Sequence, residues 1–249
     1  MAWLHTVIDL PSHAAPRATR FWRDALGWPL GAPWQGQPER RSLNPPGADP
    51  YIHLQEVFGP ARVHFDVESS HLPTTVAAAL AAGADTVAFS EHWVALRSPG
   101  GLPFSVVPAH PRRAPATVHW PSGYRSRLVE VCVDAPRARH EREVAFWRRL
   151  LTGRWVESSA DGFAGIWHDD EGSPVQLLFQ RLDEPDGPVR CHLDLATNDQ
   201  RAEVRRLLTL GAEDVGPGPG GWHMLRDPAG LTFWVSEIEP QQASRHDAG

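Results

Sequence analysis

His64-Phe65-Asp66-Val67 in the first half of the chain is answered by His192-Leu193-Asp194-Leu195 in the second. Nineteen residues after each histidine comes a Gly-Ala-acid step, Gly83-Ala84-Asp85 and Gly211-Ala212-Glu213. Further on, Arg97-Ser98-Pro99-Gly100-Gly101-Leu102-Pro103-Phe104 matches Arg226-Asp227-Pro228-Ala229-Gly230-Leu231-Thr232-Phe233. Upstream, Asp9 precedes Phe21-Trp22-Arg23 by the same twelve residues that separate Asp134 from Phe146-Trp147-Arg148. The chain is a duplication, and each half can be used to read the other.

The 249 residues allow two domains, each of about 110–120 residues and able to bury a core of its own. A hydrophobic fraction of 41% and a charged fraction of 22% describe a globular chain. The net charge of −6, with no surface run of basic residues, argues against a nucleic-acid partner. Arg137, Arg139, Arg142, Arg148 and Arg149 are dense, but Glu141 and Glu143 interrupt them, as on a solvated helix face. No segment reaches the roughly 20 apolar residues of a membrane span, and Met1-Ala2-Trp3-Leu4-His5 lacks the marks of a signal peptide. Cys132 and Cys191 both fall in strand-like runs, so a disulfide framework is not expected and a cytoplasmic location is. Eleven tryptophans suit aromatic-lined cavities as well as cores.

Each half reads strand, helix, strands, then strand, helix, strands. The predicted helices are Arg17–Leu26, Leu72–Ala82, Glu141–Leu151 and Arg201–Leu210, three of them stopped by Gly27, Gly83 and Gly211. Strands are expected over Leu4–Leu10, Tyr51–Val57, Ala61–Val67 and Phe104–Val107. Their counterparts are Leu128–Val133, Val175–Phe179, Val189–Leu195 and Thr232–Val235. The Pro/Gly-rich stretch after Gly27 carries no assigned strand. Ala109 to Ser126, with no apolar periodicity, reads as a linker or a strap. The expected division is a first domain over 1–110, a Pro-rich linker over 111–125, a second domain over 126–238 and a polar tail over 239–249. Alternation puts Val63, Phe65 and Val67 on one face and His64 and Asp66 on the other; Cys191, Leu193 and Leu195 likewise oppose His192 and Asp194. An apolar face would lie under helices, and the ionisable face would line a cup.

Phe21-Trp22-Arg23-Asp24-Ala25-Leu26-Gly27, His192-Leu193-Asp194 and Asp227-Pro228-Ala229-Gly230, in this order and twice over, resemble the glyoxalase/bleomycin-resistance/extradiol-dioxygenase superfamily, also called the vicinal-oxygen-chelate fold. The resemblance covers nearly the whole chain outside the linker and tail. It implies an α+β fold of four βαβββ modules, paired into two glyoxalase-like domains with curved mixed sheets. It also implies metal ligands on the first and last strands of the modules. Those positions fall on His5, His53, His64 and Ser105 in the first half, and on Glu130, Gln176, His192 and Trp234 in the second. Neither half keeps the carboxylate that metal-using relatives place four residues after the hairpin glycine. Glu237 comes three residues after Trp234, on the opposite strand face.

Two functions are therefore expected. In the first, a small and partly aromatic organic molecule is held without the usual metal, in the manner of resistance or sequestration proteins. Trp234 would stack on this ligand, with Glu130, Gln176 and His192 bonding to it. In the second, His5, His53 and His64 hold one divalent transition metal, zinc, nickel or iron, for lyase, isomerase or dioxygenase chemistry. A homodimer is compatible with both. A ligand-free interaction module is a third class, and the polar cup faces oppose it. The disagreements between the halves imply two unlike pockets, with any metal in the first.

Overall fold

The computed structural model of the chain describes residues 3–151, 153–157, 162–168, 173–218 and 220–240, without the side chains of 166–168. The outer tail, 241–249, lies outside the described residues. The first half runs β1 (Leu4–Pro11), α1 (Ala15–Leu26), β2 (Leu30–Trp34), β3 (Gln37–Leu43), β4 (Ile52–Val57), β5 (Arg62–Ser69), α2 (Leu72–Ala81), β6 (Asp85–Phe89), β7 (Val94–Arg97) and β8 (Pro103–Pro108). A short β9 (Val118–His119) leads into β10 (Arg125–Pro136), α3 (Arg137–Leu150), β11 (Arg154–Val156), β12 (Phe163–His168) and β13 (Gln176–Leu182). Then come β14 (Arg190–Thr197), α4 (Gln200–Thr209), β15 (Glu213–Pro217), β16 (His223–Arg226) and β17 (Thr232–Glu237). No helix among the described residues is long and apolar enough to cross a membrane.

Two mixed sheets repeat one order. The first is β2-β3-β4-β1-β5-β8-β7-β6 and the second β11-β12-β13-β10-β14-β17-β16-β15, with β9 added on β10. In each, the central strand pairs antiparallel with the His-x-Asp strand and parallel with the last strand of its own module. This is the four-module α+β architecture that the family resemblance implied. The β2–β3 hairpin was not assigned from sequence. Its two-residue turn, Gln35-Gly36, joins the pair Trp34 and Gln37, and Gly36 takes φ 76°. β2 tolerates Pro33 because it is an edge strand, with register shifts on both sides of that proline.

Helix α1 has Pro16 in its first turn and ends at Gly27, whose φ of 65° is left-handed and whose N–H returns to the Arg23 carbonyl. Ala15, Ala18, Phe21, Trp22, Ala25 and Leu26 form its buried face. That face reaches across to the other half. Phe21 and Trp22 pack on Phe233 of β17 at 5.8 and 5.2 Å, and the Trp22 indole N–H donates to Asp227 at 2.8 Å. Helix α3 reciprocates. Trp147 packs on Phe65 and Phe104 of the first sheet at 5.7 and 5.1 Å, and donates to Glu143 at 2.8 Å. Glu143 also accepts the N–H of Gly100 at 2.8 Å. A Cβ at Gly100 would collide with Glu143 and Val189, so glycine lets this hairpin reach α3.

The sequence reading gave each half a core of its own. The structure instead joins the main core of both halves into one continuous cluster. The cause is this exchange of helix faces, since an apolar stripe buries wherever it meets an apolar sheet. The Pro-rich segment is docked along the body rather than extended: β9 pairs with β10, Arg112 reaches Glu68 at 2.6 Å, and the Arg206 guanidinium lies 3.6 Å over the Trp120 ring.

Trp147→Ala should cost about 3–5 kcal/mol of unfolding free energy, as large buried aromatic truncations do. Urea denaturation should show the loss in one transition, because the residue sits in a core shared by both halves.

Candidate functional site

The faces of the two sheets away from the helices carry the ionisable residues. Register decides which of them meet. Val7 of β1 stands opposite both His53 and His64, and His5 stands opposite Asp66. Asp66 in turn pairs with Ser105 of β8. In the second sheet Glu130 stands opposite Gln176 and Asp194, Cys132 opposite Leu178 and His192, and Asp194 pairs with Trp234. This corrects the alignment that matched His53 with Gln176. The strand counterpart of His53 is Leu178, because unequal loops before β4 and β13 shift the match by two residues. Glu68 likewise answers to Ala196, two turns of the pleat after its histidine.

The first cup is open. A cavity of about 890 Å³ is lined by His5, Ser42, His53, His64, Glu68 and Ser105, among others. Trp34, Trp93, Arg40 and Arg112 also contribute to its wall. The sequence reading brought His5, His53 and His64 here as metal ligands, and the structure does place all three on this cavity. It directs their nitrogens elsewhere. His53 Nε2 lies 2.9 Å from His5 Nδ1, and His5 Nε2 lies 2.9 Å from Glu68 Oε1. His53 Nδ1 meets the Ser42 hydroxyl at 3.0 Å. His64 turns to Asp9 at 3.2 Å and to Arg40 at 3.3 Å. Two imidazoles whose facing nitrogens share one proton do not offer two lone pairs to an ion, so this donor set does not fit a resident metal.

Burial governs the charges. Burial alone would raise the Glu68 carboxyl. Hydrogen bonds from His5, the His110 N–H and Arg112 outweigh it and hold the group below the usual carboxylate range. Asp9 is lowered in the same way, with His64 and Arg62 overcoming its burial. Burial drives His53 well below the ordinary histidine range, and the neighbouring His5, Arg40, Arg112 and His64 add to the effect. His53 is therefore a neutral imidazole at neutral pH. Arg40 ties the floor of the cup together, donating to Gln55 at 2.9 Å and Asp66 at 3.0 Å while lying 5.1 Å over the Trp34 ring.

The second cup is built differently. Trp234, where the first half has Ser105, stacks on Trp222 at 4.5 Å and 5° and packs on His192 at 3.7 Å. Gly218 and Gly220 make the loop that seats Trp222, since a Cβ at either would strike its ring. His192 and Trp234 do line a smaller cavity of about 460 Å³ where the halves meet, together with Arg62, Asp134 and Arg190. Glu130 and Gln176 are buried outside its lining. Cys132, Asp134 and His192 bring potential ligand atoms within 4.8 Å of one another. Burial and the charge of Asp134 push the Cys132 thiol well up, so it is a thiol rather than a thiolate. Glu237 is exposed, away from both cups.

Sequence reasoning missed Ser42, Arg40 and Trp34, which lie on the unassigned hairpin, and Glu68, which lies one residue past the expected end of its strand. The Gln35-Gly36 step was the available signal.

A family model for the glyoxalase-like domain matches residues 5–107 and again 130–236. The chain belongs to the glyoxalase-like, vicinal-oxygen-chelate family. Among solved structures it is similar to a Mn(II)-bound glyoxalase from Novosphingobium aromaticivorans, with 17% identity, TM-score 0.66, and coverage of 96% of this chain and 84% of that one. It is also similar to a variant of 4-hydroxymandelate synthase from Streptomyces coelicolor, with 15% identity, TM-score 0.60, and 93% and 90% coverage. A variant of homoprotocatechuate 2,3-dioxygenase from B. fuscum gives 14% identity, TM-score 0.59, and 93% and 69% coverage. At these identities the likeness is one of fold. No curated protein matches the chain. Within this glyoxalase-like scaffold, the two cups have diverged in the residues that set their chemistry.

Glu130 gives a pH signature. Its carboxyl is raised well above 4.5 by burial and by the nearby Asp194 charge. A raised carboxyl contributes full stability below its unfolded pKa and loses it as pH rises, because the unfolded chain releases the proton first. Glu130→Gln should therefore flatten the fall in melting temperature between about pH 5 and about pH 8, and thermal melts of both proteins across that range check it.

Proposed function

We propose that this glyoxalase-like protein binds a small, partly aromatic organic molecule in the first cup, through its own side chains rather than through a resident metal. The observation that carries this reading is the exchange of Ser105 for Trp234 between equivalent positions. Ser105 lines the 890 Å³ cavity, whereas Trp234 stacks on Trp222 and packs on His192 beside a cavity of about 460 Å³. A cavity of that size suits a small organic ligand. Trp34 and Trp93 supply flat apolar wall, while Arg40, Arg112 and His53 supply polar contacts. The buried ionisable groups there are already paired with one another, so binding does not require an isolated charge to be stripped of water. This moves the ligand from the second cup, where the sequence placed it on Trp234, to the first.

Metal-dependent lyase, isomerase or dioxygenase chemistry at His5, His53 and His64 is the less favoured reading, because the nitrogens that would bind an ion are turned to Glu68, Ser42, Asp9 and each other. A thermal-shift screen of small aromatic acids, amides and phenols should find compounds that raise the melting temperature; saturation at about 100 times Kd corresponds to about 2.7 kcal/mol. Trp34→Ala should weaken the best compound by about tenfold or more, Trp234→Ala should leave it unchanged, and dialysis against EDTA should not alter the shift. Binding that survives Trp34→Ala, or that disappears with EDTA, contradicts the proposal.

A further inference from the structure

The first cup holds a continuous chain of hydrogen bonds that has no counterpart among the described residues of the second cup. The Trp34 indole N–H donates to Ser42 Oγ at 3.0 Å. Ser42 Oγ meets His53 Nδ1 at 3.0 Å, His53 Nε2 meets His5 Nδ1 at 2.9 Å, and His5 Nε2 meets Glu68 Oε1 at 2.9 Å. Glu68 is anchored further by Arg112 at 2.6 and 2.8 Å and by the His110 N–H at 3.0 Å. Ser42, His53, His5 and Glu68 are each at least nine-tenths buried, and all four line the cavity. At the equivalent strand positions of the second half stand Glu130 for His5, Leu178 for His53 and Ala196 for Glu68.

The ends of the chain fix its direction. An indole can only donate, and an ionised carboxylate can only accept. Glu68 therefore takes the Nε2 proton of His5. When each imidazole carries a single proton, His5 Nδ1 is a lone pair and accepts from His53 Nε2. That leaves His53 Nδ1 as a lone pair facing the hydroxyl of Ser42. The result is a serine, an imidazole base, a second imidazole and an anionic anchor, in the polarity that activates a hydroxyl nucleophile.

We propose that Ser42 is the nucleophile of a metal-independent acyl-transfer site that hydrolyses a small carboxylic ester held in the first cup. In the first step Ser42 Oγ bonds to the acyl carbon, and the carbonyl π pair moves to its oxygen. The hydroxyl proton passes to His53 Nδ1 as the His53 Nε2 proton passes to His5 Nδ1. His5 is then an imidazolium held against the Glu68 carboxylate. Collapse of the tetrahedral adduct expels the alcohol oxygen, which takes the proton back through His53. Water repeats the same two movements on the acyl-serine and releases the acid. Ser42 and His53 are the catalytic residues; His5 and Glu68 are positioning residues acting through His53.

The inference rests on the reading of the first cup as the ligand cup, and its test separates the two. The full-length protein is incubated with a fluorophosphonate, which loses fluoride to an activated serine, and adducts are mapped by peptide mass spectrometry. The expected result is an adduct on Ser42, absent in Ser42→Ala and formed at least about tenfold more slowly in Glu68→Gln. Nitrogen-15 NMR of the histidines in the wild-type protein reads the relay without any substitution: His53 and His5 should both carry their proton on Nε2. No adduct on Ser42, or a His53 proton on Nδ1, overturns the relay. Ligand binding that still depends on Trp34 would then leave the binding reading standing alone.

Discussion

A carboxylate taken out of water has to be paired, and Glu68 is the group on which the first cup depends. It is buried at the end of β5, and its acceptor positions are met by Arg112, the His110 N–H and His5. Each of those bonds fixes something else. Arg112 and His110 come from the Pro-rich segment, so satisfying Glu68 also docks that segment beside the cup. His5 is held in one orientation, and through it His53 and then Ser42 are held as well. Removing one partner from such a chain leaves another buried group exposed to the full cost of its lost bond.

The second half shows the same scaffold with that requirement removed. Ala196 stands where Glu68 is, and Leu178 where His53 is, so the described residues of the second half do not repeat the relay. There Trp222 stacks on Trp234, seated by glycines that leave room for the ring. An Asp–His contact survives in both halves, Asp9 with His64 and Asp134 with His192. The duplication thus preserved strand pairing, turns and one dyad while the contents of the cups separated. Trp22 and Trp147 are exchanged between the halves, so each half supplies part of the other's core.

Much of the scaffold was legible because it is written in periodicity and repetition. The helices, the His-x-Asp strands and the hairpins after Ser98 and Asp227 all follow from local pattern. The difference between Ser105 and Trp234 was visible too, but the sequence did not show that Trp234 stacks on Trp222. The relay was not legible. Ser42 and Trp34 lie on strands carrying Pro33 and Pro38, where propensity argues against a strand; Pro33 is tolerated on the edge strand β2, and Pro38 precedes the pairing of β3 with β4, which begins at Arg40. His53 needed the register of β4 on β1, which loop length obscures. Glu68 sits outside the His-x-Asp motif, and its importance lies in partners distant in sequence by tens of residues.

The central claim is that the first cup receives the ligand, while Trp234 of the second is stacked on the protein's own Trp222. A crystal structure of the protein soaked with the compound that stabilises it most tests this directly. The account predicts ligand density in the first cavity, against Trp34 and Arg40, with Trp222 still stacked on Trp234. A ligand stacked on Trp234 with Trp222 displaced, or a metal ion bound between His5 and His53, would contradict it.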